Sequence, residues 1–588
     1  MTNRNAILLI VGLTFLAYFN SLFNGFIGDT HFLYIGNSFY HDSRNLFRLL
    51  TPDFVMGLDQ VPAGVQVEEP SVSGFVSYRP VTALTFFLDY FLWRDWAFGH
   101  HLSNVLLHIF VSILVYRIFL FLAVAPAVAC LGALIFSLHP VQAELVNNGG
   151  YRSDLVMTLF YLAAFWAYGR LRQGGGKRQL FYGAACYAFF FLGLLSKESA
   201  VILPVMIAVY DALMPPTEGP WRTFWPGRFK LYAGFLLVVF LYAAVYFLVF
   251  PGLYMQKSLA LQGSHGPGTA VEIFFQYAAA LVLPFKTTIL PPLYAPLAGT
   301  AGLLGVLCAA VVVVGGTAFA AGRFRRDKLP LFALLWFLFN YIPVSNVVTL
   351  LNPYAYRFLY LPSIGFALLS SLALERLLSF LASKSSNLAL DRLAVFAVLG
   401  ICLSVTFSLN GFFKTDRTAC LEMIRNYPDA SRPYWVLGLD RYEKQQYEDA
   451  LAFFQRYMET PPRNPYVPDP KNNFAVYHLM ARCYGNDVDK ALPLLETAVR
   501  LNPGFALVHA DLARVYVIKS DFPKALSYAR EVIRLAPRLA IGYVYAVHSL
   551  VMLGEKEEAA RLFEAVSSLA PSDENLPYLK ALLRNHGI

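Results

Sequence analysis

Apolar runs about as long as a membrane is thick recur through the chain from residues 7–23 to residues 393–409. No other feature limits the fold as strongly. A backbone in hydrocarbon must satisfy its own hydrogen bonds, so such a chain crosses as helices. The loops between runs are often short and basic. Residues 169–178 hold Arg170, Arg172, Lys177 and Arg178, and a later loop holds Arg222, Arg228 and Lys230. Loops of this kind stay on the cytoplasmic side. Only 14% of the 588 residues are charged, against about a quarter in a soluble domain. The net charge of +9 sits in these loops and does not suggest nucleic acid. The chain reads as an all-α, polytopic membrane protein.

Residues 7–23 leave the cytoplasm, and no small-x-small cleavage site follows, so they read as a retained first helix. Further spans are expected at 101–122, 127–138, 155–168, 180–195, 201–213, 231–250, 301–321, 330–342, 359–381 and 393–409. The count is about eleven, which places whatever follows on the outer side. The run 271–283 is short and precedes Pro284, Pro291, Pro292 and Pro296. If it spanned, Arg323, Arg325, Arg326 and Lys328 would lie outside, against the charge rule. The run 271–283 therefore reads as a re-entrant or interfacial helix on the outer face. Cys130, Cys186, Cys308 and Cys402 lie in apolar runs, and the pairing of Cys420 and Cys483 stays open.

From residue 414 the composition turns soluble and helical, giving a division into 1–413 and 414–588. Ala491, Ala525 and Ala559 recur every 34 residues, as do Pro503, Pro537 and Pro571. Small residues let paired helices approach, and prolines separate the pairs. This is the pattern of a tetratricopeptide-repeat solenoid. An earlier copy holds Gly438, Ala450, Phe454 and Pro462. Such arrays form a groove that takes protein or peptide.

Charged groups gather where the spans open outward. They are Asp29, Arg79, His139, Glu144, Arg152, Asp154, Lys197, Glu198 and Arg357. Charge at the membrane edge is costly unless it is paired or lines a wet cavity. A carboxylate among cations suits transfer from a lipid phosphate: the acid takes a proton from a hydroxyl, and the cations hold the departing phosphate. Taken singly, each charge also fits an interfacial anchor or an ordinary ion pair. No spacing matches a zinc site, a phosphate loop or a dinucleotide turn, and no metal ligands are assigned.

Seven stretches in order carry a resemblance. They are residues 24–31, Tyr78-Arg79-Pro80-Val81-Thr82, residues 98–108, residues 136–144, Tyr151-Arg152-Ser153-Asp154, Leu195-Ser196-Lys197-Glu198 and residues 357–366. With the trailing repeats, the chain resembles the transmembrane and tetratricopeptide repeat-containing (TMTC) O-mannosyltransferases, in the form of a bacterial relative. The resemblance implies a GT-C glycosyltransferase fold. It implies transfer of mannose or a similar hexose from a polyprenyl-phosphate sugar to a hydroxyl of an extracytoplasmic protein, with Asp29 as base. Arg357, Lys197, Arg152 and Arg79 are then candidates for the donor phosphate, and His139, Glu144, Asp154 and Glu198 are further site candidates. The expected setting is a bacterial inner membrane or its equivalent, with the N-terminus cytoplasmic and the repeats outside. The expected partners are the sugar lipid, membrane lipids and an acceptor in the repeat groove. Three positions depart from the family. Thr30 stands where a second acid is common, Gly28 where an aromatic is usual, and Tyr356 where a Glu often precedes the arginine. These departures disfavour a divalent metal and leave the sugar open. Two other readings stand beside this one: a membrane-anchored repeat scaffold without catalysis, and a GT-C enzyme acting on a lipid or glycan.

Overall fold

The computed structural model describes residues 2–28, 30, 37–50, 78–173, 176–215, 221–249, 267–284, 322, 327–345, 354–384, 388–460 and 469–588. Every regular element among the described residues is helical. These residues form two compact units that divide after Asn426.

The first unit begins with α1 (Asn3–Tyr18), whose N-cap Thr2 accepts from the Asn5 amide at 3.3 Å. There follow α2 (Pro80–Trp93), α3 (Ala97–Phe121), α4 (Pro126–Leu138), α5 (Ala143–Asn147), α6 (Arg152–Gln173), α7 (Lys177–Ser196), α8 (Leu203–Leu213) and α9 (Trp221–Val249). Then come α10 (Pro267–Val282), α11 (Leu329–Tyr341), α12 (Ser363–Lys384), α13 (Leu388–Phe412) and α14 (Asp416–Asn426). Six described helices are long and apolar enough to cross a membrane, seven if α4 and the segment Pro140–Asn147, bent by 48°, count as one. This makes the chain a multi-pass membrane protein. The six or seven fall below the eleven or so expected from the sequence. The expected run 301–321 lies outside the described residues. α8 and α11 are short, and α6 carries Arg152 and Asp154 at one end and Arg170 and Arg172 at the other. A helix enclosed by other helices need not be uniformly apolar, and most of α6 is buried.

Packing follows from side-chain size. Ala6, Ala17, Ala129, Ala133, Ala164 and Ala167 are buried and let the helices approach. Gly365 on α12 lies so near α11 that a Cβ there would collide with the Ala333 carbonyl and the Phe337 amide. Tyr161, Phe165 and Trp336 fill the space between, and the Trp336 indole donates to the Leu361 carbonyl at 3.0 Å. The outward faces stay apolar, as with Leu236 and Phe240 on α9.

The second unit is a stack of helix pairs: α15 (Ser431–Glu443) with α16 (Tyr447–Glu459), α17 (Phe474–Cys483) with α18 (Val488–Leu501), α19 (Ala506–Ile518) with α20 (Phe522–Leu535), and α21 (Ala540–Leu553) with α22 (Lys556–Leu569). A last helix, α23 (Leu576–Asn585), packs on α21. Ala450, Ala491, Ala525 and Ala559 are fully buried, as close helix approach requires. Asp487 and Asp521 cap equivalent helices by accepting from the Lys490 and Lys524 amides at 3.4 and 3.3 Å.

Candidate functional site

Contacts between helix ends define two poles of the first unit. At one pole Tyr116 near the end of α3 donates to Asn3 at the start of α1, and Arg172 at the end of α6 pairs with Asp211 at the end of α8 (3.3 Å). Tyr168 and Tyr232 also donate to Asp211. The basic residues Arg170, Arg172, Lys177, Arg178 and Arg228 belong to the helix ends at this pole.

At the other pole the segment after α1 meets α5 and the end of α13 in a knot of amides. Asn24 donates to Asn147 (3.1 Å) and to the Asn410 carbonyl (2.9 Å). Asn147 donates to the Asn410 side chain (2.7 Å), and Asn410 donates to the Ala17 carbonyl and to Asn20 (both 2.8 Å). Buried amides must find partners, so the knot fixes the three segments against one another. Asp29 lies outside the described residues, but both of its neighbours are held. The Gly28 amide donates to Asp416 at 2.7 Å. Thr30 is buried, donates to Asn148 at 3.0 Å and accepts from the Gly150 amide at 3.1 Å.

The loop 148–151 leads into α6, whose first residues Arg152, Ser153 and Asp154 point into different contacts. Arg152 is 1% exposed and pairs with Asp89 of α2 at 2.5 Å. It also donates to Asn104 (2.7 Å) and to the His100 carbonyl (3.2 Å). Asp89 in turn accepts from Ser103 (2.7 Å) and faces His100 (3.1 Å). Arg152 is thus enclosed by α2 and α3. Asp154 pairs with Lys197 at 2.6 Å, and Ser153 accepts from Arg79 at 3.3 Å, while the other end of the Arg79 guanidinium meets Glu198 at 3.3 Å.

Arg357 completes the group. It pairs with the buried Glu144 at 2.9 Å, and the second Glu144 oxygen accepts from the Tyr356 amide at 2.7 Å. Its guanidinium lies over Tyr151 (3.9 Å) and Phe358 (4.9 Å), and the Lys197 amine lies 5.5 Å from the same Phe358 ring. Arg79, Glu198, Lys197, Asp154, Arg357 and Glu144 therefore form one continuous cluster. His139 stands apart: it is buried, accepts from the Val141 amide (3.3 Å) and meets the Leu281 carbonyl of α10 (3.0 Å). That contact anchors α10 at this pole. Among the described residues no group of three His, Cys, Asp or Glu gathers as a metal site needs.

Burial lowers the Lys197 pKa from its ordinary 10.5, with Arg79 adding to the effect and Asp154 opposing it. The Lys197 charge is thus held at a cost, which an incoming anion would relieve. Sequence reasoning did not find Asp89, Asn104 or Asn410. For Asp89 the signal is a lone carboxylate in an otherwise apolar helix.

The repeat unit and the whole chain both have counterparts among known proteins. A tetratricopeptide repeat model matches residues 480–540. Human "Protein O-mannosyl-transferase TMTC3" is 23% identical over 99% of this chain. Along its length the chain is similar to the TMTC proteins. "Protein O-mannosyl-transferase F38B6.6" of Caenorhabditis elegans is 24% identical over 74% of the chain, and human "Protein O-mannosyl-transferase TMTC4" is 34% identical over 24%. The chain spans 66%, 59% and 21% of those three proteins, less than two thirds of any of them.

Proposed function

We propose that this chain is a membrane glycosyltransferase that moves mannose or a similar hexose from a polyprenyl-phosphate donor to a hydroxyl of an extracytoplasmic protein. The observation that carries the reading is the sharing of the Phe358 ring by Lys197 and Arg357 at the pole where Gly28 and Thr30 are also held. The whole-length similarity to proteins named O-mannosyl-transferases supports it. In this reading Asp29 takes the acceptor proton, and the acceptor oxygen attacks the anomeric carbon of the sugar. The bond from that carbon to the phosphate oxygen breaks, and polyprenyl phosphate departs as an anion held by Lys197 and Arg357. Arg79 adds positive charge beside Lys197. Arg152 has a structural role instead, because Asp89 and Asn104 occupy its guanidinium. The basic pole faces the cytoplasm by the charge rule, and the cluster faces the opposite side. The repeats favour a protein acceptor over a lipid or a glycan.

The test is transfer of labelled mannose from polyprenyl-phosphate mannose to membrane proteins, using purified full-length chain in lipid nanodiscs. Transfer that needs Lys197 and Arg357 supports the reading. A protein that folds and inserts but transfers nothing from any polyprenyl-phosphate hexose supports a scaffold instead. The lowered Lys197 pKa adds a pH signature. Phosphate is held only while the amine is protonated, so kcat/KM for the donor falls as pH rises through a value below 10.5. In Lys197→Arg that alkaline fall moves upward or disappears, since a guanidinium stays charged throughout. A profile identical in the wild type and Lys197→Arg removes Lys197 from donor binding.

A further inference from the structure

The segment that follows the last long apolar helix of the first unit reaches back to the loop bearing the acid. α13 ends at Phe412, and α14 starts at Asp416. Between them the Lys414 carbonyl accepts from the Gly25 amide at 2.9 Å, and Asp416 accepts from the Gly28 amide at 2.7 Å. Ile27, between these contacts, packs with Leu409, Phe413, Ala419 and Met423. Gly28 has a φ of +52°, which glycine adopts without a Cβ penalty and which turns its amide toward Asp416. The N-terminus of α14 is capped by Thr415, which accepts from the Thr418 amide at 3.2 Å, so the cap does not draw on the Asp416 carboxylate. Residues 24–28 are thus fixed on one side by α13 and α14.

We propose that Asp416 is a positioning residue for transfer: by holding the Gly28 amide it fixes the end of the segment that leads into the assigned base. The inference rests on the assignment of Asp29 as base given under Proposed function. It makes the segment leading to the repeats part of the reacting end of the molecule. A small displacement of a reacting group lowers turnover steeply, and the effect falls on kcat, because the contact Asp416 makes here is to the Gly28 backbone.

The experiment compares Asp416→Ala, Asp416→Asn and Asp416→Glu in the full-length protein, with polyprenyl-phosphate mannose as probe. Asp416→Ala lowers kcat by about 10-fold to 100-fold with KM for the donor unchanged. Asp416→Asn recovers most of the loss, because its amide oxygen still accepts from Gly28. Asp416→Glu keeps the charge but displaces the acceptor oxygen; it loses activity like Asp416→Ala and replaces that variant should it fail to fold. Hydrogen exchange in the peptide covering Gly28 rises in Asp416→Ala and not in Asp416→Asn. Wild-type kcat in Asp416→Ala, or an equal loss in Asp416→Asn, overturns the positioning role. Asp29→Asn run alongside separates the two claims. If Asp29→Asn is fully active, the base assignment has failed; if it is inactive while Asp416→Ala is normal, only the positioning role has.

Discussion

Asp29→Asn is expected to lower mannose transfer by about 100-fold to 10,000-fold, the usual contribution of a general base, while expression, membrane insertion and thermal stability stay at wild-type level. The amide is nearly the same size but takes no proton at any working pH. Its neighbours are held by contacts that do not involve the Asp29 side chain: Gly28 through its backbone amide to Asp416, and Thr30 through its hydroxyl to Asn148 and Gly150. The fold should therefore survive the change. Donor binding should survive as well, since the cations lie just after α7 and in the turn before α12. The measurements are single-turnover transfer, donor affinity and melting in detergent. Unchanged transfer in the Asn variant would sink the mechanism. Loss of donor affinity with normal chemistry would move Asp29 from base to binding residue.

Breaking the Asp89–Arg152 pair has the opposite signature. Arg152→Met leaves the Asp89 carboxylate buried with Ser103 and His100 and without its guanidinium. Uncompensated burial of one charge costs about 3–5 kcal/mol. The apparent melting temperature should drop sharply, and activity should fall in proportion to the folded fraction. Asp89→Asn alone leaves Arg152 unpaired and is destabilising too. The double variant recovers part of the loss, because neither charge then remains buried alone, with a coupling of roughly 0.5–3 kcal/mol. A stable Arg152→Met protein with weakened donor binding would return Arg152 to the phosphate site, where the sequence alone had placed it among the candidates.

The two arginines look alike in sequence and differ in surroundings. Arg152 and Arg357 each sit at an expected outer helix end. Whether such a cation is enclosed or aligned with a second cation depends on which residue lies opposite. That residue is Asp89 for Arg152, and for Arg357 it is Glu144 with the ring shared with Lys197. Asp89 and Arg152 are 63 positions apart, and Gly28 and Asp416 are 388 apart. No local pattern encodes pairings at such distances. The asparagines 24, 147 and 410 are equally silent, since an isolated amide at the end of an apolar run has no periodicity to reveal it.

The sequence by itself determined what is periodic: long apolar runs that must be helices in a membrane, basic loops at one set of ends, and the 34-residue repeat that demands paired helices. These follow from near-neighbour chemistry, in which every turn of the chain repeats the same requirement. The tertiary structure alone decided which polar groups meet. It joined Lys197 to Arg357 across Phe358, enclosed Arg152 with Asp89, set His139 against α10, and brought Asp416 to Gly28. Those choices arise because a buried polar group takes whatever partner the packed helices bring within hydrogen-bonding distance, and packing is a property of the whole bundle.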